Sequence, residues 1–211
     1  MQVEIWSDVV CPWCYLGKRR FEQALDAFAR KDQVEVTYRS FELDPTVPKG
    51  VTSPTVAMLA SKYGMTAQQA EQAQRQMEQR AAADGLVFRM ADLRSGNTRD
   101  AHRLLQLAKA RGRQDELMER LHSAYFTEQA SIFDHEELTR LAVQTGLDSG
   151  EVTALLAGDD YGAEVEADEA MARTLGVTGV PFFVIDRRYG VSGAQPADTI
   201  TQVLEKTWSE H

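Results

Sequence analysis

The stretch Ser7-Asp8-Val9-Val10-Cys11-Pro12-Trp13-Cys14-Tyr15-Leu16-Gly17-Lys18 decides how this chain folds. Just before it, Val3 to Trp6 alternates as a short strand does. From Pro12 to Arg30, Leu16, Phe21, Leu25 and Phe28 recur at helical spacing. Pro12 suits a first helical position, where a missing N–H costs nothing. The two cysteines therefore stand where a strand gives way to a helix. Further out, Val34, Val36 and Tyr38 alternate as a second strand. Residues 1–40 thus read as strand, helix, strand, with the strands parallel as in a βαβ unit.

Asp44-Pro45-Thr46-Val47-Pro48-Lys49-Gly50 is turn-rich and marks a boundary. Beyond it, helix signals dominate until about residue 180, apart from a brief apolar run at Leu86-Val87-Phe88. Ser53-Pro54 opens one helix. Thr66 with Gln69 forms a capping box for another, and Asp134 with Glu137 and Asp148 with Glu151 look like two more. Asn97 or Thr98 opens a helix that ends near Gly112, and Gln114 to Glu128 carries the next. A last helical stretch runs from about Tyr161 to Leu175. Strands then return at Phe182 to Ile185 and Tyr189 to Ser192, paired antiparallel, and Pro196 opens a final helix. The two ends together make a four-stranded mixed sheet flanked by helices. The expected class is α/β, a thioredoxin-like fold with a large inserted all-helical domain. Residues 1–48 and 176–211 would form the sheet domain and residues 49–175 the insertion.

The chain has 211 residues, enough for one core plus an inserted subdomain. No stretch is long and apolar enough to span a bilayer. Met1 to Trp6 show neither a basic start nor an apolar signal core, so a cytoplasmic protein is expected. A net charge of −9 repels nucleic acid and anionic lipid and favours solubility. Neither nucleic acid nor membrane is an expected partner.

Cysteine usage narrows the chemistry. There are two cysteines, three positions apart. A bond between them closes a very short loop and restricts the unfolded chain little, which makes a structural disulfide a poor explanation. A second CxxC is absent, and His102, His122, His135 and His211 form no ligand-like pair, so no metal is expected. Two unremarkable buried cysteines are the bland alternative. The strand–CxxC–helix setting favours redox chemistry over both. A redox cysteine attacks as its thiolate. A helix N-terminus offers unpaired N–H groups and partial positive charge. Cys11 lies there, and its pKa is expected to fall into the range of roughly 3.5 to 7.5. Cys14, one turn further in, is expected to be buried and to gain less. Cys11 then reads as the nucleophile and Cys14 as the resolving thiol, with a mixed disulfide to substrate between them.

Gly179-Val180-Pro181 precedes the last apolar strand. Alone, such a proline is usually trans; paired with an upstream CxxC, a cis bond is expected. The combination resembles the thioredoxin superfamily, and the long helical insertion points to its DsbA branch. Cys11-Pro12-Trp13-Cys14-Tyr15-Leu16-Gly17-Lys18, Phe41-Glu42-Leu43-Asp44-Pro45, Asn97-Thr98 with Ala101-His102-Arg103, Gly179-Val180-Pro181-Phe182-Phe183 and Gly193-Ala194-Gln195 together resemble the FrnE-like group of that branch. The resemblance implies that Cys11 and Cys14 are the redox pair, supported by Pro12 and Trp13. It implies that Pro181 is a cis-proline facing them, with the Val180 backbone pairing with an extended substrate chain. Some members carry extra cysteines towards the C-terminus; this chain has none. Trp13 stands where DsbA proper usually has histidine, which would help stabilise a thiolate, so a less oxidising protein is expected.

Other residues stay open between two roles. Asp8 is a proton relay or a loop acid. Lys18, Arg19 and Arg20 tune the site or form a solvated helix face. Asn97 and His102 are a helix cap and a packed or exposed histidine, or site residues. The leading function is thiol–disulfide exchange on disulfide- or thiol-containing proteins or small molecules. No cofactor is expected beyond glutathione or another low-molecular-weight thiol as redox partner. The alternative is a glutathione-dependent isomerase or transferase, since the architecture also resembles 2-hydroxychromene-2-carboxylate isomerases and kappa-class glutathione transferases. Those enzymes place a serine where Cys11 stands. A third reading is binding of unfolded chains without chemistry.

Overall fold

In the computed structural model, which describes residues 1–210, β1 (Gln2–Ser7) is the strand around which the sheet is built. His211 lies outside the described residues. β1 pairs parallel with β2 (Glu35–Ser40) and antiparallel with β5 (Phe182–Ile185), which pairs antiparallel with β6 (Tyr189–Ser192). The result is a four-stranded mixed sheet, as the strand pattern predicts, and its order is β2-β1-β5-β6.

Period-two alternation sorts β1 onto two faces, with Val3, Ile5 and Ser7 on one and Glu4 and Trp6 on the other. Ile5 lies opposite Phe183, whose ring meets Phe21 of α1 (Pro12–Ala27) at 5.7 Å between centroids. The Val3–Ile5–Ser7 face is therefore the one α1 covers. α1 stops at Ala27, three residues short of the expected end at Arg30. Phe28 leaves the helix in extended conformation and buries its ring edge-on against Trp208, 6.0 Å away, on α9 (Ala197–Ser209). On the opposite face Trp6 is buried with Val184, Ala172 and Val177. Burying a side chain such as Val177 or Val184 contributes about 1.5–3 kcal/mol.

The chain divides into two compact units, one of residues 1–43 with 163 onward and one of residues 44–162. This corrects the expected insertion of 49–175, because α8 (Gly162–Thr174) packs on the sheet. Its Asp168 carboxylate accepts from the Ser40 N–H and from Arg39, each at 2.9 Å, and its carbonyl accepts from the Trp6 indole at 2.9 Å. A buried residue that satisfies groups on two strands cannot belong elsewhere.

The second unit carries α2 (Thr55–Tyr63), α3 (Ala67–Ala83), α4 (Arg99–Ala110), α5 (Gln114–Phe126), α6 (His135–Gln144) and α7 (Ser149–Ala157). It is not all-helical. β3 (Thr52–Pro54) and β4 (Arg94–Gly96) form a short antiparallel ribbon. Strands of three residues are too short to show alternation. Gly96 is needed there, since a Cβ would stand 2.8 Å from the Phe133 ring. The Thr66–Gln69 capping box closes reciprocally, and Asp148 accepts from the Glu151 N–H. Asp134 occupies the cap of α6 without a side-chain capping bond, so the expected box with Glu137 does not form. Among the described residues no helix is long and apolar enough to cross a membrane.

Candidate active site

Cys11 is the N-cap of α1, in extended conformation, and Pro12 takes the first helical position. The Asp8 carbonyl accepts the Cys11 N–H at 3.1 Å, and the Cys11 carbonyl accepts the Cys14 and Tyr15 N–H groups at 3.0 and 3.3 Å. The turn thereby fixes Cys11 at the positive end of the helix dipole, where an anion is stabilised. Both cysteines are free and buried. Trp13, between them, is 39% exposed and projects from the same turn.

The Cys11 thiol donates to the Val180 carbonyl at 3.6 Å. The Val180–Pro181 peptide bond is cis. Pro181 in turn approaches the helix so closely that a Cβ on Gly17 would lie 2.7 Å from its ring carbon. The Gly193 N–H donates to the Pro181 carbonyl at 2.8 Å, and Arg20 reaches the Ala194 carbonyl at 2.7 Å. So α1, the segment before β5 and the loop after β6 converge on one place. The structure brings Cys11, Cys14, Pro12, Trp13, Val180 and Pro181 together there.

Cys14 is 2% exposed. Burial is the largest influence on it and pushes its thiol well above the ordinary value, with the Cys11 hydrogen bond and charge adding to the rise. The Asp8 N–H, donating at 3.5 Å, and the Ser7 hydroxyl act in the opposite direction. The buried Asp8 carboxylate accepts the Leu43 N–H at 2.8 Å, a contact that holds the loop. Lys18 departs from a solvated face, being 2% exposed and ion-paired with Glu22 one turn on. Arg19 and Arg20 are half-buried.

The Asn97–Arg103 block serves the helical unit. Asn97 accepts the Arg99 N–H at 3.0 Å and donates to the Val47 carbonyl at 2.9 Å. His102 is buried. Arg103, 1% exposed, donates to the carbonyls of Leu155, Gly158 and Asp160 and to the Asp100 carboxylate. Two of those carbonyls lie at the end of α7, where a helix leaves acceptors without partners. Asp100 also accepts from Lys49 at 2.6 Å and pairs with His135 at 3.0 Å. Burial opposes its ionisation, but these partners outweigh it and hold the carboxyl below the usual range.

Sequence reasoning passed over Ser7, Gly17 and Asp168. Ser7 was findable, since it extends the Val3–Ile5 alternation by one step. Gly17 and Asp168 carried no signal before their partners were known.

With this geometry in view, the chain is placed by comparison. Residues 2–205 match the model of the DSBA-like thioredoxin domain, and the chain belongs to that family. This places it among enzymes of the redox or isomerase kind. Over its whole length it is similar to a probable DsbA oxidoreductase, SCO1869, from Streptomyces coelicolor, at 52% identity, 91% of that chain and a TM-score of 0.96. It shares its fold with the cytosolic disulfide reductase DsbM from Pseudomonas aeruginosa, solved with GSH, at 17% identity over 99% of this chain and 100% of that one, TM-score 0.67. It also shares it with a 2-hydroxychromene-2-carboxylate isomerase, at 15% identity over 100% of this chain and 97% of that one, TM-score 0.70.

Proposed function

We propose that the protein is a thiol–disulfide oxidoreductase in which Cys11 attacks a substrate disulfide and Cys14 resolves the product. The observation that carries this reading is the unequal setting of the two sulfurs. Cys11 caps a helix N-terminus and touches the Val180 carbonyl, while Cys14 lies behind it, buried and hydrogen-bonded to it. The nucleophile is the sulfur at the charged end of the helix; the resolving thiol is the one kept from solvent.

In the first step the Cys11 thiolate attacks one sulfur of the substrate, a Cys11–substrate bond forms, and the other substrate sulfur leaves as a thiolate. In the second, the Cys14 sulfur displaces the remaining substrate thiol. The protein dithiol is oxidised and the substrate disulfide reduced; the reverse sequence oxidises a substrate. The Val180 backbone is the edge with which an extended substrate chain pairs. Glutathione or a comparable small thiol is the redox partner, and the cytoplasm the compartment. The shared fold with DsbM, a cytosolic disulfide reductase solved with GSH, supports both choices.

The test is to treat reduced protein with glutathione disulfide and locate the adduct by mass spectrometry. Glutathione on Cys11 in Cys14→Ser, and none retained by wild type, is expected. Attachment to Cys14 in Cys11→Ser at the wild-type rate would overturn the assignment. A wild-type protein that keeps glutathione bound without exchange, and turns over an isomerase substrate, would favour the isomerase or transferase reading.

A further inference from the structure

We propose that Ser7 is a further catalytic residue, its hydroxyl donating to Cys14 Sγ and, together with the Asp8 amide, holding the Cys14 thiolate during the resolving attack. The inference rests on the reading of Cys14 as the resolving thiol.

The placement follows from strand register. Ser7 ends β1 and shares a face with Val3 and Ile5, and that face is covered by α1, the helix that carries Cys14. Ser7 is 2% exposed, as is Cys14, so water does not compete for the sulfur. The next residue, Asp8, turns its N–H towards the same sulfur at 3.5 Å. That turn is held by the Asp8 carboxylate on the Leu43 N–H and by the Asp8 carbonyl on the Cys11 N–H. The Asp8 amide thus meets the buried sulfur, and the Ser7 hydroxyl, one residue earlier on the face that α1 covers, is the donor that substitution can remove.

The influences on Cys14 change along the reaction. In the free dithiol the Cys11 hydrogen bond and charge add to burial in keeping Cys14 protonated. Once Cys11 is bonded to substrate sulfur, its charge is gone. Burial is then opposed by the Asp8 N–H and the Ser7 hydroxyl. At this moment Cys14 must attack: its sulfur bonds to Cys11 Sγ, the Cys11–substrate S–S bond breaks, and its proton ends on the departing substrate thiol. Electrons balance, since one substrate disulfide becomes two thiols as the dithiol becomes a disulfide. A donor on the Cys14 sulfur stabilises charge there without touching the first step.

The experiment mixes reduced full-length protein with glutathione disulfide, quenches in acid at intervals, and follows mixed disulfide and internal disulfide by mass spectrometry across pH. Ser7→Ala is expected to form the mixed disulfide at the wild-type rate but resolve it roughly tenfold more slowly. The pH dependence of resolution should move to higher pH. Ser7→Thr, which keeps a hydroxyl, should restore the rate; Ser7→Val, of the same shape without it, should not. That pair gives the comparison even if Ser7→Ala folds poorly. Equal resolution rates in wild type, Ser7→Thr and Ser7→Val would overturn the proposal while leaving the dithiol reading intact. A wild-type mixed disulfide that never resolves would overturn the dithiol reading itself.

Discussion

In the helical unit the buried Asp100 carboxylate meets Lys49, Arg103 and His135, whereas in the sheet unit the buried Cys14 sulfur meets the Asp8 amide N–H, with Ser7 proposed as its second donor. Both groups are largely removed from water. The first has two cations beside it, Lys49 and Arg103, and its charge is fixed: the carboxylate stays ionised and the arginine ties down the end of α7. The second is given neutral donors, and its charge is suppressed yet recoverable. A buried group paired for permanence builds structure; a buried group left underserved is available for chemistry.

Breaking the first centre should cost far more than breaking the second. Arg103→Ala removes a buried cation from three carbonyls and a carboxylate, and a loss of about 3–5 kcal/mol is expected in urea unfolding. Arg103→Lys should recover little of it, because an ammonium cannot reproduce the planar fork. Cys14→Ser at neutral pH should change the stability of the reduced protein by less than about 1.5 kcal/mol. If the two losses were equal, the contrast between the centres would fail.

Gly17→Ala probes the junction between α1 and Pro181. The new methyl meets a proline ring carbon at 2.7 Å, and a ring cannot swing aside as a flexible chain can. A cost of about 1–3 kcal/mol is expected, with slower exchange because the Val180 carbonyl shifts from Cys11. An unchanged melting temperature and rate would show that the contact relaxes freely.

The smallest effects separate the centres by pH. Cys14 holds its proton in the folded state to higher pH than in the unfolded state, where thiols titrate near 8.5. Above that value the unfolded chain loses a proton the folded chain retains, so stability of the reduced protein falls as pH rises. The slope should approach about 1.4 kcal/mol per pH unit and flatten in Cys14→Ser. Asp100 behaves oppositely. Its folded-state value is depressed, so its contribution is present above about 3.9 and lost as pH falls through the folded value. Stability curves of reduced wild type, Cys14→Ser and Asp100→Asn between pH 2 and 10 check both signs.

Much of this was legible in the chain itself. The strand–CxxC–helix junction and the Val-Pro before a second apolar strand are local patterns, and they located the sheet, the cysteines and Pro181. Local pattern also located the capping box at Thr66 and the N-cap bond of Asp148. It failed where a residue's role depends on a distant partner. Asp168 gives α8 to the sheet through Arg39, Ser40 and Trp6, and nothing near Asp168 in sequence announces them. Lys18 reads as one of three surface cations until its burial beside Glu22 is seen. The β3–β4 ribbon is too short to carry a period.

The most direct test is the reduction potential of the Cys11–Cys14 pair, measured by equilibration in glutathione buffers with thiol trapping. A reversible two-electron transition that disappears in Cys11→Ser is predicted. Its position against a cytosolic poise of roughly −220 to −320 mV will show whether the protein rests as reductant or oxidant. No reversible transition, with Cys11 held instead as a stable glutathione adduct, would contradict the account.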